Sequence, residues 1–171
     1  MHKKPKSAIA ITVLIFLLLA LLLFFLRLVG PHEIDDVHPA IPCEEEYLAE
    51  SDILWVVPLF SNQSIAQNES WCATLRATNK VLGMHGVYHE YNEFQTPRDQ
   101  AYIDRGIAAF EQCFKKKPSA FKAPQLELST ENAKLLSSNN LKIHGKIRQL
   151  THKVYHCNDT GQFRNWVIEL V

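Results

Sequence analysis

The stretch "ILWVVPLF", Ile53–Phe60, decides the fold of this chain. It is apolar on both faces, as a strand in a parallel sheet covered by helices is, whereas a half-solvated antiparallel strand alternates. Towards the C-terminus, "NESWCATLRATN" (Asn68–Asn79) has the composition of a helix with Asn68 placed to cap it, and "VLGMHGV" returns as a strand ending near His85. "RDQAYIDRGIAAFEQCF" sets Ile103, Ile107, Phe110 and Phe114 on one helical face. "SAFKAP" then predicts a short strand closed by Pro124, "STENAKLLSSNN" a helix opened by Ser129 or Thr130, and "LKIHGKI" a further strand. Towards the N-terminus, "HEI" is the visible end of a first strand running into Asp35. Strands alternating with helices imply a parallel sheet with crossover connections, either doubly wound or closed as a barrel.

Farther out, "AIAITVLIFLLLALLLFFL" (Ala8–Leu26) carries no charge and only Thr12 as a polar residue. At about 1.5 Å per residue it covers roughly 30 Å of hydrocarbon, the length of a transmembrane helix. Lys3, Lys4 and Lys6 precede it and Arg27 is the charge that follows, so the positive-inside bias leaves the N-terminus cytoplasmic and exports the rest. A signal peptide is the competing reading, but its apolar region spans about 7–15 residues and ends in small residues, unlike "FFLRLVG". The expected organisation is therefore residues 1–30 as a basic tail and anchor, and residues 31–171 as one domain with one core. Acidic and basic residues balance at 18 each, which gives no footprint for nucleic acid. Cys43, Cys72, Cys113 and Cys157 form no CxxC pair, which argues against a cysteine zinc site. On the exported side two disulfides are expected, in any of three pairings, with buried free thiols as the alternative. Asn62, Asn68 and Asn158 each begin a glycosylation acceptor triplet.

In such folds ligands bind at the carboxyl ends of the strands, and three polar groups meet that test. Asp35 and Asp36 follow the first strand, His85 follows "VLGM" with His89 four positions on, and "QLTH" carries His152 to the end of a third segment. Two histidines at that spacing share a face if the segment turns helical, and one carboxylate completes a set of three ligands with positions left open. Zinc held this way is the usual hydrolytic arrangement, with the remaining aspartate free as a base. Adjacent carboxylates on an extended segment point in opposite directions, so only one can be a direct ligand without distortion.

Taken in order, "IDD", "HGVYH", "FKAPQLELS" and "QLTH" resemble the polysaccharide deacetylase-like (NodB homology) superfamily, in particular its shorter relatives of undefined function, over most of Ile34–His152. The resemblance implies a distorted (β/α)7 barrel, whole or incomplete, and a divalent metal, zinc foremost. It makes Asp36, His85 and His89 the ligands, Asp35 the general base and His152 the general acid of a deacetylase. Such an enzyme uses metal-activated water against the acetyl group of a carbohydrate or glycan. Lys122 stands where the family has an arginine that orients the base, and Pro124 would shape the groove wall. The interval from "FKAP" to "QLTH" is short for the family, and Gly86 replaces its usual serine or threonine. A degenerate member that binds glycan or metal without turnover, and a structural subunit of a membrane complex that completes its barrel with another chain, are the alternatives. His156 rivals His152 for the acid role. His32 and His38 are expected to be exposed, His144 to be packed in a strand or on the surface, and Trp55, Trp71 and Trp166 to be in or near the core.

Overall fold

The computed structural model describes residues 6–170; Lys3 and Lys4 of the basic tail lie outside them. Helix α1 (Lys6–Val29) is apolar on every face, and Ala8–Val29 is long and apolar enough to cross a membrane. The rest follows in the order β1 (His32–Val37), α2 (Glu45–Glu50), β2 (Ile53–Val56), a small antiparallel hairpin of β3 (Leu59–Phe60) and β4 (Gln63–Ser64), and α3 (Glu69–Arg76). Then come β5 (Val81–His85), α4 (Gln100–Phe114), β6 (Ala120–Lys122), α5 (Thr130–Ser138), β7 (Lys142–His144), α6 (Ile147–Thr151), β8 (Lys153–His156) and α7 (Asn165–Leu170). The expected strand over Ile53–Phe60 thus stops at Val56, and Pro58, which has no N–H to give a ladder, separates it from the hairpin.

Six strands form one sheet in the order β7-β6-β5-β2-β1-β8, and every pairing in it is parallel. The strands advance in one direction across the sheet and the last lies beside the first. That is the winding of a barrel; a doubly wound sheet reverses its order midway. Among the described residues β7 and β8 do not pair, so this α/β barrel is incomplete and opens at that seam.

Helix α4 shows why the helices hold. Asp99 caps it by accepting from the Tyr102 amide at 2.8 Å, and Ile103, Phe110 and Phe114 are buried against the sheet. Each such side chain contributes about 1.5–3 kcal/mol of transfer free energy. Asn68 and Ser129 cap α3 and α5 in the same way. Two disulfides form, Cys72–Cys113 joining α3 to α4 and Cys43–Cys157 tying the segment after β1 to the end of β8.

A buried network of charges ties α6 to the sheet. Glu33 on β1 is fully buried and accepts from Trp55 Nε1 at 2.7 Å, Lys122 Nζ at 3.3 Å, Arg148 Nη1 at 3.3 Å and His152 Nδ1 at 2.6 Å. Arg148 and His152 come from α6 and its end, so this short helix is held by the Glu33 carboxylate. Burial works against the Glu33 charge, but Lys122 and the hydrogen bonds from His152 and Trp55 outweigh it and hold the carboxyl below its ordinary range.

Candidate metal centre

Strand β1 carries the distortion that an adjacent carboxylate pair requires. Its register against β2 slips between Ile34 and Val37, and Asp36 takes a left-handed φ of 65°. A non-glycine residue held there costs on the order of 1 kcal/mol or more and persists where the surroundings impose it. The slip turns Asp35 and Asp36 into the same cavity.

His85 ends β5, but His89 is not one helical turn beyond it. The connection is a loop with Gly86 at φ 64° and His89 at φ 59°, so the shared helical face expected from the spacing is replaced by a turn that brings both rings to the same point. Gly86 is required there twice over: by its φ, and because a Cβ would meet Glu93 Oε2 at 2.3 Å and Pro124 Cγ at 2.7 Å. Glu93 shapes the loop. Fully buried, it accepts from the amides of Val87 and Tyr88 at 2.9 Å each, from the amide of His89 at 3.0 Å and from the Tyr102 hydroxyl at 2.7 Å. One carboxylate therefore does for this turn what a helix does with its own carbonyls.

The imidazoles converge on one oxygen. His89 Nε2 lies 2.7 Å and His85 Nε2 3.3 Å from Asp36 Oδ1. The other Asp36 oxygen accepts from the Thr160 hydroxyl at 3.0 Å. Oδ1 is buried and, despite the two nitrogens, has no hydrogen bond of acceptable geometry. His85 Nδ1 donates to the Lys122 carbonyl at 3.0 Å, which fixes the tautomer that turns a bare Nε2 lone pair towards Asp36. Three donor atoms, from Asp36, His85 and His89, lie within 4.8 Å of one another. An orphaned carboxylate oxygen facing two imidazole nitrogens, one of them with its tautomer fixed from behind, fits a divalent ion.

Asp35 faces the same cavity with different partners. Lys122 Nζ donates to its Oδ1 at 2.8 Å, and His156 Nε2 lies 3.5 Å from its Oδ2. Lys122 thus bridges Asp35 to Glu33 beneath. The cavity, about 1090 Å3, is lined by Asp35, Asp36, His85, His89 and His156 at its polar end.

Several expectations are corrected. His152 is not in the cavity lining: "QLT" lies in α6 instead of ending a strand, and the ring is bound to Glu33. The histidine that follows a strand into the site is His156, at the end of β8 and opposite Asp35 in the ladder. Its opening residue, Lys153, hid this strand in the sequence, although the lysine is buried with its Nζ on the Glu169 carbonyl at 2.7 Å. Pro124 is buried against Gly86, and its neighbours Ala123 and Gln125 form the groove wall in its place. Among the bystanders, His38 is buried, its Nε2 on the Gln63 carbonyl at 3.3 Å and its Nδ1 accepting from the Ala40 amide at 3.0 Å. Trp55 is in the core, whereas Trp166 is exposed. Glu93 and Thr160 carried no local signal, because a buried carboxylate or hydroxyl is recognised only by partners that the fold supplies.

No family model and no curated protein matches the chain. Among solved structures it is similar to a provisionally assigned polysaccharide deacetylase of Mycobacterium smegmatis, at TM-score 0.42 and 20% identity, over 52% of this chain and 30% of that one. It is also similar to a mutant of a CE4 family pseudoenzyme, at TM-score 0.45 and 11% identity, over 61% of this chain and 45% of that one. The chain spans less than half the length of either.

Proposed function

We propose that the chain is a membrane-anchored, metal-dependent hydrolase that removes acetyl groups from a carbohydrate or glycan. The observation that carries this reading is Asp36 Oδ1, buried without a hydrogen bond and facing His85 and His89, with a second carboxylate, Asp35, beside it. Asp36, His85 and His89 would hold a divalent ion, zinc foremost, which would supply Lewis acidity beside Asp35. Asp35 accepts the proton of the attacking water, and Lys122 fixes its orientation. His156 takes the acid role expected of His152 and returns a proton to the leaving amine or alkoxide. The balance is simple: a C–O bond to water oxygen forms, the C–N or ester C–O bond breaks, and acetate leaves. Residues 1–30 serve as tail and anchor with the N-terminus cytoplasmic, and residues 31–171 lie on the other side, where two disulfides suit an oxidising compartment.

The test is the metal content of the full chain in detergent beside a His85→Ala/His89→Ala variant, both confirmed folded by circular dichroism. One zinc per parent chain and none in the variant is the expected result, and acetylated sugars are then assayed for acetate release. A folded parent that retains no metal after zinc is added ends the hydrolase reading.

A further inference from the structure

The cavity does not end at its polar residues. Its wall continues from Asp35 and His156 past Leu150 and Phe163 to Leu23 and Arg27 of α1. Leu23 precedes Val29, the last residue of the apolar span, by six positions, which at a helical rise of about 1.5 Å sets it roughly 9 Å inside the span. A single cavity therefore joins the ionic site to the flank of a helix built for hydrocarbon.

Helix α1 is docked where this continuity needs it. A Cβ on Gly30 would meet the Thr151 carbonyl at 2.6 Å, so the end of the helix runs tightly against α6, and Arg27 Nη1 donates to the Gln149 carbonyl at 2.9 Å. The elements around the mouth leave large apolar side chains in the open. Ile147 and Leu150 on α6, Phe163 in the loop after β8, and Trp166 and Leu170 on α7 are each more than half exposed. Soluble surfaces rarely present such a set, whereas aromatic and aliphatic side chains beside a membrane helix match the bilayer interface.

We infer that α6, α7 and the loop between β8 and α7 rest on the bilayer beside α1, and that the substrate is a membrane-borne, lipid-linked acetylated sugar. Its apolar tail lies along Leu23, Leu150 and Phe163 while its acetyl group reaches Asp35 and His156. This inference rests on the deacetylase reading of the same site. It replaces a soluble polymer with an amphiphile that enters from the side of the membrane helix.

The experiment uses the full chain, loaded with zinc, in nanodiscs of phosphatidylcholine and phosphatidylglycerol. Two probes are compared: free N-acetylglucosamine, and hexadecyl N-acetylglucosaminide carrying a diazirine near the end of its alkyl chain. Acetate release and the sites of photocrosslinking are read separately. Crosslinks at or beside Leu23, Leu150 and Phe163, and turnover of the hexadecyl glycoside at least about tenfold above that of the free sugar, are expected. A Leu150→Ser/Phe163→Ser variant, altered only at exposed positions, should lower that ratio about tenfold. Equal turnover of both probes with a ratio unmoved by the variant overturns the inference and leaves the deacetylase reading standing. Crosslinks in the cavity with no turnover of either probe support the lipid placement and remove the deacetylase reading. Crosslinks spread along the rest of α1, or a copurifying protein that shields Leu150 and Phe163, overturn the inference.

Discussion

Two carboxylates three residues apart on β1, both buried, are treated in opposite ways. Glu33 is surrounded by four donors, from Trp55, Lys122, Arg148 and His152, while Asp36 presents one oxygen that no proton reaches. A buried charge that is fully hydrogen-bonded holds structure together, and a buried oxygen left bare inside an otherwise satisfied fold marks the place where a ligand belongs. The same strand therefore carries a structural anion at its base and a bare carboxylate oxygen at its tip, and the register slip after Ile34 separates them.

The contrast breaks most visibly at Glu33. Glu33→Gln leaves Lys122, Arg148 and His152 around a neutral amide, and should lower unfolding free energy by about 3 kcal/mol or more. Denaturant unfolding in detergent, with the disulfides intact, measures it. A loss below about 1 kcal/mol would mean that α6 is held to the sheet by something other than this network. Asp36→Asn should do the reverse. Zinc affinity should fall at least about 100-fold, while stability in the presence of a chelator stays within about 1 kcal/mol of the parent. A competitive chelator titration gives the first number and the same unfolding assay the second; a variant that unfolds with its affinity intact would exchange the roles assigned to the two residues.

Glu93 lies between these extremes, since it touches no metal position yet holds the amide of His89. Glu93→Gln should weaken zinc binding by about 10–100-fold through loss of loop geometry, with the residual site still selecting zinc over calcium. Affinity equal to the parent would show that the disulfides and the core alone position His89.

Much of this was legible in the sequence, for a physical reason. Strands buried on both faces and capped amphipathic helices signal themselves locally, as Ile53–Val56, Asn68 and Ser129 do, and so does a His85/His89 pair after an apolar run. What was not legible depends on distance along the chain. His152 and His156 differ by only four positions; only the ladder with β1 shows which of them ends a strand at Asp35. Glu33 finds partners up to 119 residues away, and no window of sequence contains them. The helical face expected of the histidine pair failed because Glu93, outside the motif, satisfies the amides of a turn.

The smallest expected effect separates structural burial from site burial by pH. His144 on β7 is buried edge-on against Trp55, at 4.8 Å between ring centres, and its Nδ1 has no hydrogen bond. Burial first, and then repulsion from Arg148, push its pKa down to about 4. The unfolded chain binds this proton near pH 6.5 and the folded chain only near 4, so between those values the unfolded state holds more protons and stability falls as the pH drops. Above about 6.5 the group contributes nothing, and below about 4 its loss is complete. Glu33, held below the ordinary carboxylate range, adds its own loss only at more acidic pH, because its contribution is present above the unfolded value near 4.5 and disappears as the pH falls through the folded one. His144→Phe should therefore remove about 1 kcal/mol of the stability difference between pH 7 and pH 5, an amount discounted for the partial solvation of the ring. Glu33→Gln should leave that difference in place while lowering both values. Urea midpoints of parent and variants at the two pH values decide it: a His144→Phe difference equal to the parent's would place the acid sensitivity elsewhere, with His38 the next buried ring to replace.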